Sequence, residues 1–242
     1  MLNHEKCSEK KTVGIIGGMG PAATAMLFQK LIDYTEAEND AGHMHIVIDN
    51  NPGIPDRTTA ILKGEDTPAK YIVESGKNLE MCGARLLLIP CNTSHYFYDE
   101  IQAQLNVTVV NMIAETAKVC LEKGYTKVGV LATTGTCKTH TYDRELKKFG
   151  IETVYPNENG QKKVMEIIYD QVKAGKKSDA SIIDQTLKEM GTEGAQCFIL
   201  GCTELPFAIK NGDFGYHFLD SLDILARRTV ELAGYSLKKK KI

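Results

Sequence analysis

Leu87-Leu88-Ile89-Pro90-Cys91-Asn92-Thr93 and Phe198-Ile199-Leu200-Gly201-Cys202-Thr203 are two versions of one pattern. Each is an apolar run, then a cysteine, then small polar residues. The cysteines lie 111 positions apart. A second matching pair, Val13-Gly14-Ile15-Ile16-Gly17-Gly18 and Val128-Gly129-Val130-Leu131-Ala132-Thr133, is offset by 115. Two nearly equal offsets imply a duplicated unit. The apolar runs read as buried strands, with helical patterns between them.

Working outward from these runs, strands are expected at 45–49, 85–89, 107–110, 127–131, 151–155 and 197–200. Helices are expected at 21–38, 69–81, 113–123, 138–149, 161–173, 178–190 and 222–233, and 50–58 reads as a loop. Pro21 suits a first helical position, and Gly124 a helix end. Strands alternating with helices give an α/β fold: two pseudo-symmetric domains, each a mostly parallel sheet flanked by helices. Ligands of parallel sheets sit outside the carboxyl ends of strands, so each half brings one cysteine to a cleft between them.

Composition narrows the function. The chain has 242 residues, 43% apolar and 25% charged, with a formal charge of −2. That is ordinary for a soluble enzyme and argues against nucleic acid as a partner. The one basic block, Lys238 to Lys241, reads as a solvated tail. The polar start lacks a signal-peptide run, and no apolar stretch reaches the roughly 20 residues that span a bilayer. A cytoplasmic protein with no membrane partner is expected. Its seven cysteines, Cys7, Cys82, Cys91, Cys120, Cys137, Cys197 and Cys202, are an odd number without a C-x-x-C pair. They read as thiols, most of them core filler. Cys91 and Cys202 stand apart because they occupy matched strand ends.

Two thiols facing each other suit one task in particular. Inverting a carbon centre removes a proton from one face and returns one to the other, and a single base cannot easily reach both. The developing carbanion then needs donors held against a neighbouring carboxylate. Asn92, Thr93, Thr203 and the run Thr133-Thr134-Gly135-Thr136 supply candidates, with helix capping as the alternative reading. Arg57 offers a two-pronged clamp for a further carboxylate. Lys173 reads either as a cleft cation or as a solvated charge at a helix end. Gly17-Gly18-Met19-Gly20-Pro21 partly matches a dinucleotide fingerprint, but Pro21 interrupts it and Asp49 lies too far on. A turn that lets backbone approach a small anion fits better. Cys91, His95 and Cys202 could be drawn as zinc ligands, yet no fourth ligand stands out.

Five segments carry a family resemblance: Gly14 to Thr24, Pro55 to Thr58, Pro90 to His95, Val128 to Thr136 and Leu200 to Pro206. Together they make the chain similar to the aspartate/glutamate racemase family, and most of all to its aspartate racemase branch. The resemblance implies racemisation of an acidic amino acid with no cofactor and no metal, and Cys91 and Cys202 as the acid/base pair. It places Asn92, Thr93, Thr134, Thr136 and Thr203 around the α-amino and α-carboxylate groups, and Arg57 and Lys173 at the side-chain carboxylate. Met19 and Glu204 are expected to line the same pocket. It also implies a homodimer, and a first domain of residues 1–112 joined by 213–242 around a second of 113–212. Two other readings remain open: a related cysteine-based isomerase or broad-specificity racemase, and a small-molecule binding or redox protein.

Overall fold

The computed structural model describes residues 10–239. Cys7, the polar start and the end of the basic tail at Lys240 and Lys241 lie outside the described residues. Eight strands form two parallel four-stranded sheets. The first has the order β2 (Ile46–Asn50), β1 (Val13–Gly17), β3 (Leu86–Leu88), β4 (Thr108–Val109). The second has the order β6 (Glu152–Val154), β5 (Lys127–Ala132), β7 (Phe198–Gly201), β8 (Phe218–Asp220). Eleven α-helices are described: α1 (Pro21–Tyr34), α2 (Arg57–Lys63), α3 (Thr67–Met81), α4 (Tyr98–Ala103), α5 (Met112–Glu122), α6 (Thr134–Lys138), α7 (Thr141–Lys147), α8 (Glu158–Met165), α9 (Asp184–Thr192), α10 (Leu205–Ala208) and α11 (Ser221–Leu232). None is long and apolar enough to cross a membrane.

The repeat has a packing cause. A side chain at Gly14 would lie 2.6 Å from Leu87, and one at Gly129 would lie 2.4 Å from Phe198. In each half the first strand leaves out its side chain where the neighbouring strand's large residue fills the layer. The central strands are buried on both faces, which is why they read as continuous apolar runs rather than alternating ones. One core lies between the sheets, where Leu27 and Leu31 of α1, Ile113 of α5, and Leu222 and Leu225 of α11 meet. The outer face of each sheet has its own core, beneath α3 in the first half and beneath α8 and α9 in the second.

Several boundaries differ from the sequence reading. Helix 21–38 stops at Tyr34, because Thr35 bridges to Leu237. The 50–58 loop ends at Asp56, whose side chain caps α2 by accepting from the Thr59 N–H at 2.8 Å. Helix 138–149 is two helices, broken where His140 takes a left-handed backbone (φ 51°). Residues 161–173 form α8 and then a π-helical segment, Glu166–Lys173. β8 pairs with β7 and so belongs to the second sheet. After β8 the chain runs into α11, which lies against α1 and α5 in the core between the sheets.

Candidate active site

In each sheet the strand order reverses beside the central pair, which is where parallel sheets open a crevice. Cys91 follows β3 and Cys202 follows β7, so the duplicated topology brings both to one place. Both line one narrow cavity with Met19, Arg57, Asn92, Thr93, Lys173, Thr203 and Glu204. Its free space is about 10 Å³, room for roughly one water. An amino acid takes more room than this, so the cavity has to widen to admit one.

Arg57 is the first residue of α2 and is 8% exposed. Its Nη1 donates to the carbonyls of Ile54 (3.1 Å) and Pro55 (2.9 Å), and Nη2 donates to that of Met19 (3.3 Å). Its Nε–H has no partner, so of five donors two remain: Nε–H and one N–H on Nη2. Burial works against the charge, but Cys91, Asp56 and Tyr169 outweigh it and hold the guanidinium above its ordinary value. Burial also opposes the charge on Lys173, which Glu204, Tyr169, Cys202 and Cys91 restore and raise. Much of the Lys173 residue is in solvent, so its field on the cavity is screened. Its ammonium lies over the Tyr169 ring, 4.3 Å from the centroid.

Cys202 differs from its counterpart. Its Sγ–H donates to Glu204 Oε2 at 3.0 Å, and Thr203 Oγ1 donates to the same oxygen at 3.1 Å. Burial first, and then the Glu204 carboxylate, push the Cys202 thiol well above its ordinary value. This cysteine is held protonated.

The threonines are redistributed. Thr133, which was read only as part of its run, lines the cavity. Thr134 faces a neighbouring groove with Tyr155 and Met165 instead. Thr136 is buried behind the site, its hydroxyl 3.1 Å from that of Thr93 and 3.2 Å from that of Thr133. The reason is helical: α6 starts at Thr134, and each step along it turns a side chain by about 100°. Thr133 also accepts from the Thr136 N–H, so it caps the helix and lines the cavity at once.

Three further residues were missed. Thr58 lines the cavity, and Tyr169 Oη donates to Asp56 Oδ2 at 3.0 Å, closing the cleft from opposite halves. Asp56 and Thr58 flank Arg57, and Tyr169 precedes Lys173 by one helical turn, a spacing that could have signalled it.

His95 is not a ligand. Its Nδ1 donates to the Cys91 carbonyl (2.9 Å), its Nε2 accepts from the Met112 N–H (3.1 Å), and burial lowers its pKa. Both ring nitrogens are used in holding backbone. Among the described residues no His, Cys, Asp or Glu group is placed to hold a metal. The glycine turn is explained by the chain itself: a Cβ at Gly18 (φ 94°) would lie 2.2 Å from the Asn51 carbonyl carbon. Of the remaining thiols, Cys120 and Cys197 fill the central core and Cys82 is exposed. Cys137 is half-buried, its thiol pushed up to about 12 by its surroundings.

Fold and cavity together define an α/β enzyme whose two related halves each deliver a cysteine to one narrow cleft. The family described as Asp/Glu/Hydantoin racemase matches residues 16–229. A broad specificity amino-acid racemase of Bacillus subtilis is 30% identical over 224 residues, covering 90% of this chain and 96% of that one. The aspartate racemase of Picrophilus torridus superposes with a TM-score of 0.80 at 33% identity, covering 95% and 97% of the two chains. An aspartate racemase homologue from Pyrococcus horikoshii gives 0.76 at 32%, covering 92% and 99%. The chain belongs to the Asp/Glu/hydantoin racemase family and is an amino-acid racemase.

Proposed function

We propose that this chain interconverts the enantiomers of an acidic amino acid, aspartate before glutamate, using its own cysteines and no pyridoxal phosphate. The carrying observation is the cavity: two cysteines from symmetry-related strand ends share it with two cations, Arg57 and Lys173. The cations suit two carboxylates, and Glu204 suits an ammonium. The tight enclosure favours the shorter dicarboxylate.

Cys202, held as a thiol, is the acid for the enantiomer that meets the resting enzyme, which leaves Cys91 as the base. The Cys91 thiolate takes the α-proton, and the electron pair stays on the α-carbon, delocalised into a carboxylate beside the cations. The Cys202 S–H bond then breaks as its proton passes to the opposite face. Cys91 ends as thiol and Cys202 as thiolate, ready for the reverse reaction. The two N–H groups of Arg57 that backbone does not use are the donors offered to a carboxylate.

The test is incubation of the purified protein with L-aspartate, and separately L-glutamate, in deuterated water with no added cofactor. Deuterium should enter the α-position as optical rotation decays, faster for aspartate. Cys91→Ala and Cys202→Ala should each abolish racemisation. No exchange with either amino acid, or wild-type rates in either variant, would remove the reading.

A further inference from the structure

Behind the two cysteines runs a buried hydrogen-bond network that the reaction does not use directly. Tyr142, on α7, is fully buried. Its hydroxyl donates to Asn92 Oδ1 at 2.6 Å. Asn92 Nδ2 donates to Ser221 Oγ at 3.0 Å, and Ser221 Oγ donates to the Leu200 carbonyl at 2.8 Å. Asn92 is the residue after Cys91, and Leu200 lies two residues before Cys202. The Tyr142 ring also covers Gly201, where a Cβ would lie 3.1 Å from Cε2. The same side chain therefore touches the immediate neighbours of both cysteines.

Three features make this more than core filling. The network joins four separate elements: α7, the segment after β3, the end of β7, and the start of α11. It also fixes the Asn92 amide, since Oδ1 accepts from Tyr142 and one Nδ2 proton goes to Ser221. One N–H of the amide is left for the cavity that Asn92 lines. Finally, the hydrogen-bond partners of Tyr142 in the network are uncharged, and Tyr142 itself is held neutral, its pKa raised mainly by burial and further by Cys120 and Asp220.

We propose that Tyr142 and Ser221 are positioning residues that act through Asn92 to set the register between the two cysteine motifs. The proposal rests on the racemase reading above. Its chemical content is geometric. One thiolate can remove the α-proton alone, but racemisation also needs the second cysteine, as thiol, aligned on the opposite face. A misplacement of about 1 Å can cost about a hundredfold in rate.

The experiment compares Tyr142→Phe, which keeps the ring on Gly201 and removes only the hydroxyl, with Ser221→Ala, the smaller change at the other end of the network. Each is incubated in deuterated water with L-aspartate or L-glutamate, whichever the wild type racemises, and folding is checked by thermal melting. Two rates are read: deuterium entering the recovered L-enantiomer, and appearance of the D-enantiomer. The expected result is racemisation lower by about 10- to 100-fold, with KM nearly unchanged and the ratio of retained exchange to inversion increased. Variants in which the two rates are unchanged, or fall in equal proportion, overturn the proposal. Failure of both variants to fold assigns the network to stability alone and also overturns it. A wild type that neither exchanges nor racemises either amino acid counts against the racemase reading instead.

Discussion

Glu204→Gln isolates the electrostatic difference between the two cysteines. The carboxylate oxygen lies 3.0 Å from Cys202 Sγ. Once the thiol ionises, two like charges face each other at that distance. At an effective dielectric of about 20 their repulsion is about 5 kcal/mol, an upper bound because opening and solvent relax it. Burial and Glu204 both raise the Cys202 pKa. Removing the charge therefore lowers it, and the Gln amide adds an N–H donor that favours thiolate. A release of about 1.4 to 5 kcal/mol multiplies the thiolate population at neutral pH by about 10- to several thousand-fold. Each thiolate becomes less nucleophilic as its basicity falls, which offsets about half of this on a logarithmic scale. Iodoacetamide labelling of the Cys202 peptide, read by mass spectrometry at pH 7, should accelerate by about 3- to 100-fold. The alkaline limb of kcat/KM should move to lower pH. Labelling within a factor of two of wild type, with an unmoved limb, would refute the claim that Glu204 holds this thiol protonated.

Arg57→Leu removes two free charge-assisted donors, about 3 kcal/mol or more, so kcat/KM for aspartate should fall at least about a hundredfold. Arg57→Lys should not rescue it, because the guanidinium fork is held by three backbone carbonyls; steady-state kinetics of both variants check this. Tyr169→Phe breaks the bond to Asp56 that closes the cleft, and should raise KM by about 5- to 30-fold, with a smaller change in kcat. Gly18→Ala forces a Cβ into the Asn51 backbone at a positive φ, an expected loss of about 2–4 kcal/mol and a melting temperature lower by about 5–10 °C in calorimetry.

The sheets were legible because their central strands are apolar on both faces and bounded by glycine, proline or polar residues. Both cysteines were legible because duplication repeats the strand end that carries them. What escaped notice depends on rotation or context. Which threonine of 133–136 faces the cavity follows from where α6 begins, a boundary that sequence leaves open by a residue or two. β8 is Phe218–Asp220, where the apolar pair Phe218-Leu219 sits between His217 and Asp220 and makes no longer apolar run, and the break at His140 falls on a residue type that does not announce a left-handed backbone. Tyr169 lies 113 positions from Asp56, and only the fold brings its hydroxyl to that carboxylate from the opposite half. The Tyr142 network was equally hidden, since its partners lie 50 and 129 positions apart along the chain.

Backbone symmetry combined with side-chain asymmetry has a measurable consequence. Cys202 is followed by Thr203 and Glu204, and burial together with the Glu204 carboxylate raises its pKa. Cys91 is followed by Asn92 and Thr93, and Arg57 faces it instead. Under the two-cysteine mechanism proposed above, this asymmetry prepares the resting enzyme for the enantiomer whose α-proton faces Cys91. The mirror substrate needs the swapped protonation state, which is scarcer in free enzyme. Scarcity of the competent form weakens apparent affinity in proportion. Enantiomers have equal free energy, so kcat/KM must be the same in both directions, whatever the protein does. The asymmetry can therefore appear only as paired differences: the disfavoured enantiomer should show a higher KM and, by the same factor, a higher kcat. Both constants measured from each direction across pH decide the matter, and Glu204→Gln should shrink the gap. Identical kcat and identical KM for the two enantiomers in the wild type would show that the cysteines are functionally equivalent despite their different surroundings.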